Sequence, residues 1–141
     1  MTPLVVLAVV IVAAGVVGAV IRFRSGRLKE LSVTETSAAD PELGKVGVGE
    51  GEPVILHFSA PWCGPCAAVR RVVAGVIEGN GDTAPPVRDI ELDFDENVSL
   101  ATQLGVLSLP TTFLFDGDGH QRYRVSGVPT TDDLRRALAA L

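Results

Sequence analysis

Cysteine is nearly absent from this chain. Cys63 and Cys66 are the only two in 141 residues, and thiols three positions apart cannot build the multi-bridge framework that staples small secreted folds, so packing must supply the stability. A second cysteine pair is missing too. Beyond the two thiols only His57 and His120 could complete a nitrogen–sulfur ligand set, which disfavours a closed four-ligand zinc site within one chain. Ala67, directly after Cys66, lacks the histidine of a haem-attachment pattern. No metal and no cofactor are expected. Clustered positive charge is also lacking: positions 46–141 hold seven basic against thirteen acidic side chains, within a net charge of −5 for the whole chain. Nucleic acid is therefore not an expected partner, because phosphate binding needs grouped Lys and Arg. No internal repeat or low-complexity tract occurs, and the length leaves room for one domain of about 100 residues plus an extension.

What the sequence has in excess is one aliphatic run. From Leu4 to Ile21 every residue is Leu, Val, Ile, Ala or Gly, enough for a helix of roughly 27 Å, close to the hydrocarbon thickness of a bilayer. A cleaved secretion signal would begin with basic residues and carry a shorter apolar run. Here Met1-Thr2-Pro3 has no positive charge and Arg22-Phe23-Arg24 follows the run directly. The expectation is a retained anchor over residues 1–24, with the membrane contacted through 4–21. Arg22, Arg24, Arg27 and Lys29 all follow it, and positive charge beside a span is held on the cytoplasmic side. The rest of the chain is accordingly expected at the cytoplasmic face of the cell membrane, with the extracytoplasmic face as the alternative. Residues 25–45 read as a basic collar and linker, and 46–141 as the folded domain.

Within that domain the hydrophobic periods alternate between strand and helix. Leu31–Thr34 offers a short edge strand, and four glycines between Gly44 and Pro53 oppose a long helix there. Val54–Ser59 is a short apolar run between prolines, the pattern of a strand buried on both faces. Val69, Val72, Val73, Val76 and Ile77 then recur at helical spacing up to Gly79-Asn80-Gly81, so the cysteines open a helix. Val87–Leu92 reads as a second buried strand, Asp93–Glu96 as an acidic turn, and Ser99–Leu104 as a helix stopped by Gly105. Thr111–Phe115 and Tyr123–Ser126 form a hairpin across Asp116-Gly117-Asp118-Gly119. Thr131-Asp132-Asp133 caps a last helix that places Leu134, Leu138 and Leu141 on one face. The order predicts an α/β domain, a three-layer α/β/α sandwich around a mixed sheet. Arg122, Arg124, Arg135, Arg136 and His120 are read as solvated.

A Cys-x-x-Cys pair at a helix start has a physical reason to react. The free N–H groups of the first turn and the helix dipole favour a thiolate at Cys63. One turn later, Cys66 is placed to attack the mixed disulfide that Cys63 forms and to release the reduced substrate. Pro65 is tolerated at the opening of a helix because its missing N–H would have had no partner.

Trp62-Cys63-Gly64-Pro65-Cys66 is similar, letter for letter, to the active-site motif of the thioredoxin family. The approach Phe58-Ser59-Ala60-Pro61, the segment Gly105-Val106-Leu107-Ser108-Leu109-Pro110-Thr111 and Gly127 after the last strand also resemble family features, and the likeness covers about Val54–Leu141. The resemblance implies a thioredoxin fold and a protein thiol–disulfide oxidoreductase, with Cys63 attacking and Cys66 resolving. It implies a cis Leu109–Pro110 bond facing the cysteines, and a groove for disulfide-containing proteins lined by Trp62, Gly64, Pro65, Leu109, Pro110, Gly127 and Val128. It also implies a monomer reduced by thioredoxin reductase if cytoplasmic, or by a transmembrane electron carrier if extracytoplasmic, where cytochrome maturation or thiol maintenance would be its role.

The chain departs from the family at several positions. His57 stands where the family usually has a buried Asp beneath the second cysteine; an imidazole titrates near neutrality, so His57 is a candidate proton acceptor for Cys66. A histidine that only fills space is the simpler alternative. Glu91 replaces the family's partner lysine on the next strand, Ala67 follows the second cysteine where lysine is common, and Arg71 stands where the helix often has a kinking proline. Three rivals remain beside the redox reading: a metal site on the two thiols, an inert disulfide, and a tethered module that binds partners without electron transfer.

Overall fold

The structure, a computed structural model, describes residues 2–24, 29–30, 40–81 and 85–141. Helix α1 (Thr2–Arg24) precedes strand β1 (Lys29–Glu30) and helix α2 (Pro41–Lys45). There follow β2 (Val54–Ser59), α3 (Cys66–Asn80), β3 (Arg88–Asp93), α4 (Val98–Gln103), β4 (Thr111–Phe115), β5 (Gln121–Ser126) and α5 (Thr131–Ala139). The strands form one mixed sheet in the order β1-β5-β4-β2-β3, parallel between β2 and β3 and antiparallel elsewhere. The crossover through α3 makes β2 and β3 parallel, while the tight turn after Phe115 makes β4 and β5 antiparallel.

The sheet is covered on both faces. Val54, Leu56 and Phe58 of β2, with Phe113 and Phe115 of β4, pack with Leu43 of α2 and Leu100, Ala101 and Leu104 of the α4 region. The alternate residues Ile55 and Leu114 pack with Val69, Val73 and Val76 of α3 and with Leu134 and Ala137 of α5. Strand alternation thus serves two cores at once, and β2 is buried at all six positions. Each large aliphatic or aromatic side chain so buried contributes about 1.5–3 kcal/mol. Phe58 and Phe113 add an edge-to-face contact, with ring centroids 6.2 Å apart.

Several expectations are corrected. The stretch 25–45, read as linker, contributes α2, whose Leu43 is fully buried in the first core, and β1, which pairs Lys29 with Arg124 and Glu30 with Tyr123. Asp40 accepts a hydrogen bond from the Glu42 N–H at 2.9 Å and so caps α2. The folded unit therefore reaches back beyond position 46. Leu31–Thr34 lies outside the described residues. The strand expected at Val87–Leu92 runs Arg88–Asp93 and is half-buried, because only one of its edges meets a neighbouring strand in the sheet. Thr130, one residue earlier than read, caps α5 by accepting from the Asp133 N–H.

Helix α1 has 23 residues. Its described side chains, Val5 to Val20, are exposed throughout, and neither core draws on them. Among the described residues no helix is long and apolar enough to cross a membrane.

Arg124, read as solvated, instead ties β5 to α4. Its guanidinium donates to the Leu104 and Gly105 carbonyls at 3.0 and 2.6 Å and lies over the Phe113 ring, 5.2 Å from its centroid. It satisfies carbonyls that the end of α4 leaves open, next to Gly105, which reverses the chain at φ +64°. Arg124→Ala is expected to lower the unfolding free energy by about 2 kcal/mol in urea titration, and Arg124→Lys to recover only part, because lysine lacks the fork that reaches two carbonyls.

Candidate functional site

The two cysteines sit where β2 ends and α3 begins. After Ser59 the chain turns with the Cys63 N–H donating to the Ala60 carbonyl at 3.0 Å and the Cys66 N–H to the Cys63 carbonyl at 3.3 Å. Cys63 and Cys66 are joined as a disulfide across a Cα separation of 5.6 Å. Cys66 is the first residue of α3, and Pro65 is its cap, with φ −68° already helical. The pair is asymmetric: Cys66 is 2% exposed, whereas Cys63 is half-buried between the exposed Trp62 and Gly64. Cys63 is therefore the more accessible of the two. Cys66 Sγ lies 4.0 Å from the Phe58 carbonyl oxygen; oxidised sulfur has no proton for it, and reduction supplies one.

The end of β2 that leads into the disulfide turn pairs with the start of β4, Phe58 with Thr111, next to the Leu109–Pro110 segment. The Leu109–Pro110 bond is cis. Gly127, at φ +93°, donates its N–H to the Pro110 carbonyl at 2.8 Å, which joins the end of β5 to the start of β4. Pro110 is buried and Leu109 half-buried against the first core. Val128 packs on the α3–α5 core with part of its surface free. Trp62 is 66% exposed and its indole N–H donates to Asp95 at 3.2 Å. Asp95 was not singled out from the sequence; its signal lay in the acidic turn, where the Asp93 carboxylate accepts from the Asp95 and Glu96 N–H groups. Leu107 was also missed. At 93% exposure it presents a whole aliphatic side chain to solvent two residues before Leu109.

His57 is the one ionisable group in β2 and is 1% exposed. It pairs with Glu91 on β3 and Thr112 on β4, and its Nε2 lies 3.0 Å from Asp89 Oδ1. Its hydrogen bond thus goes to a carboxylate and not to the disulfide. Glu91 is engaged elsewhere: both its oxygens accept from Arg70 Nε, at 2.8 and 2.9 Å, and the Ser59 hydroxyl donates to it at 2.5 Å. Arg70 holds the Glu91 carboxyl below its ordinary value of 4.5. The Thr112 hydroxyl, buried beside His57, has no hydrogen-bond partner. Farther off, Asp116, Asp118 and His120 in the β4–β5 turn bring ligand atoms within 4.8 Å of one another. Asp116 already accepts from the His120 N–H and from Arg122, which accounts for the cluster as turn structure.

A mixed sheet between two helical layers, with a disulfide at a helix start whose one sulfur is accessible and whose other is buried, defines a thiol–disulfide oxidoreductase. The thioredoxin family model matches residues 38–140, and the chain belongs to the thioredoxin family. It is 36% identical to thioredoxin of Mycolicibacterium smegmatis over 92 residues, which is 65% of this chain and 80% of that protein. It is 38% identical to thioredoxin 1 of Synechococcus elongatus over 79 residues, 56% of this chain and 71% of the other. Among solved structures, oxidised mitochondrial thioredoxin 3 of Saccharomyces cerevisiae superposes with a TM-score of 0.55 at 26% identity, over 66% of this chain and 82% of that one. The Cys63–Cys66 pair is accordingly the redox couple of an oxidoreductase.

The Arg70–Glu91 pair has a pH signature. A carboxyl whose folded value is depressed contributes stability that is present above its unfolded value, near 4.5, and is lost as pH falls through the lower folded value. Glu91→Gln is expected to destabilise the chain at pH 7 by no more than about 1 kcal/mol, since the pair is largely exposed. Denaturation curves of parent and variant should converge below the carboxylate range, and a difference that persisted undiminished at low pH would contradict the ion pair's role.

Proposed function

We propose that this protein is a membrane-tethered protein-disulfide reductase whose redox domain works at the cytoplasmic face. The observation that carries the reductase reading is the unequal burial of the two sulfurs, Cys63 accessible and Cys66 enclosed. In the reduced protein the Cys63 thiolate attacks a substrate disulfide, forming a Cys63–substrate disulfide and expelling the first substrate sulfur as thiolate. Cys66 then loses its proton and attacks Cys63 Sγ. The Cys63–Cys66 disulfide forms, the second substrate thiolate leaves, and both substrate sulfurs take up protons. Two electrons pass from the dithiol to the substrate, and a thioredoxin reductase restores the dithiol.

The substrates are disulfide-containing proteins. An extended segment would lie along Leu109 and Pro110, with Gly127 and Val128 on one side, Trp62, Gly64 and Pro65 on the other, and the exposed Leu107 adding apolar surface. His57 accepts the Cys66 proton in the resolving step. Its burial next to Phe58, whose carbonyl neighbours Cys66 Sγ, supports that role.

The tether is helix α1. The support for it is in the sequence: the run Leu4–Ile21 makes a helical segment of about 27 Å, close to the thickness of a hydrocarbon core. Leu4–Ile21 contains no polar residue, and the side chains described there are exposed without a packing partner in the domain. Arg22, Arg24, Arg27 and Lys29 favour the cytoplasmic side for the redox domain.

Two experiments test this reading. With insulin as substrate, Cys63→Ser should abolish reduction, and Cys66→Ser should trap a mixed disulfide through Cys63 that is visible on non-reducing gels; turnover by Cys63→Ser would refute the reductase reading. In intact cells Cys63 should resist a membrane-impermeant maleimide until the membrane is permeabilised. Labelling without permeabilisation would put the domain outside and replace the reductase with a transmembrane electron carrier.

A further inference from the structure

We propose that Asp89 is the proton exit for the resolving step, acting through His57 to link the Cys66 thiol to solvent. The inference rests on the reading of His57 as proton acceptor and extends it to a second residue.

A buried imidazole that takes a proton must either return it to Cys66 when the disulfide is next reduced or exchange it with solvent, and the hydrogen bond between His57 and Asp89 offers the route to solvent. Because β2 and β3 are parallel, α3 returns antiparallel to them. The Arg70–Glu91 pair fixes the second turn of α3 over the level of His57, since Glu91 is the register partner of His57. Cys66, one turn before Arg70, lies above the end of β2. The groups set against His57 by register or hydrogen bond are Asp89 and Glu91 from β3, with Arg70 of α3 on Glu91, and Thr112 from β4, while α5 supplies the apolar Leu134, Ala137 and Leu138 to the α3 side of the sheet. Glu91 is neutralised by Arg70 and hydrogen-bonded by Ser59. Asp89 has His57 Nε2 as its partner at 3.0 Å, and its side chain is 39% exposed where that of His57 is 2%. Both carboxylates reach solvent, at 32% and 39% exposure, but Glu91 is held by Arg70 and only Asp89 is hydrogen-bonded to the imidazole.

With Nε2–H donated to Asp89, Nδ1 is the nitrogen left to receive the Cys66 proton. As the Cys66 thiolate attacks Cys63 Sγ, Nδ1 gains a proton and the imidazolium is stabilised by the Asp89 carboxylate. The Nε2 proton then passes through Asp89 to water. No electrons move in this relay, and it runs in reverse when the reductase reduces the disulfide: Nδ1 returns a proton to the departing Cys66 thiolate and Nε2 regains one from water through Asp89. Asp89 touches no reacting sulfur and is a positioning and relay residue.

The test uses the full chain in detergent, reduced with dithiothreitol and mixed with insulin, following the resolving step through Trp62 emission and the attacking step through the rate of Cys63 alkylation. Asp89→Asn should slow resolution about tenfold or more, leave Cys63 alkylation unchanged, and recover speed as acetate is added, because a small carboxylate can replace the missing acceptor. Asp89→Glu should retain most of the parent rate. Slow resolution that acetate does not rescue in Asp89→Asn would mean a structural role and overturn the proposal. A parent-like rate in Asp89→Asn together with a slow His57→Ala would overturn the relay while leaving His57 as acceptor. A parent-like rate in His57→Ala would instead remove the reading on which the relay rests.

Discussion

Strand β2 is hydrogen-bonded along both edges and covered on both faces, and the rest of the domain is arranged around that constraint. Three of its side chains enter the core under α2 and α4, and the intervening ones face α3 and α5. Water is excluded from both sides, so any polar group in the strand must find a partner inside the protein. The end of this rigid strand is also where the redox turn starts. Ala60 accepts from the Cys63 N–H, and the Phe58 carbonyl neighbours Cys66 Sγ. The cysteines thus inherit their position from a strand that is paired on both edges and buried along its length.

The same constraint governs the polar residues of β2. His57 and Ser59 are the polar members of β2, and each is satisfied from β3: His57 by Asp89, and Ser59 by Glu91. Arg70 on α3 completes the set. The effect is a short set of paired groups running from buried β2 to the exposed edge of β3. The site has an apolar side as well, where the exposed Trp62 is steered by Asp95 and Leu107 stands free.

Much of this was legible in the residues. The apolar run of β2, the valine stripe of α3 and the Asp-Gly hairpin each carry a period or a turn chemistry that only one local structure satisfies, and the elements appear within a residue or two of their expected places. The cysteine motif was legible because its chemistry needs that spacing at a helix start. What escaped depends on tertiary register. α2 is only five residues long, and its place rests on one buried leucine, Leu43, that no periodicity announces. Arg124 read as solvated because nothing local reveals that the end of α4 passes beneath it. Asp89 reaches His57 diagonally across a parallel pair, and no pattern along one strand shows a partner 32 positions away. Burial was misjudged in the other direction at β3, where Ile90 and Leu92 alternate with charged residues and the edge strand is only half-buried.

In the proposed exchange the two sulfurs divide the work, half-buried Cys63 attacking and buried Cys66 resolving. Timed alkylation of the fully reduced chain by iodoacetamide near neutral pH, with each cysteine mapped by mass spectrometry, measures that division directly. Cys63 should be modified at least about tenfold faster than Cys66; equal rates, or modification of Cys66 first, would contradict it.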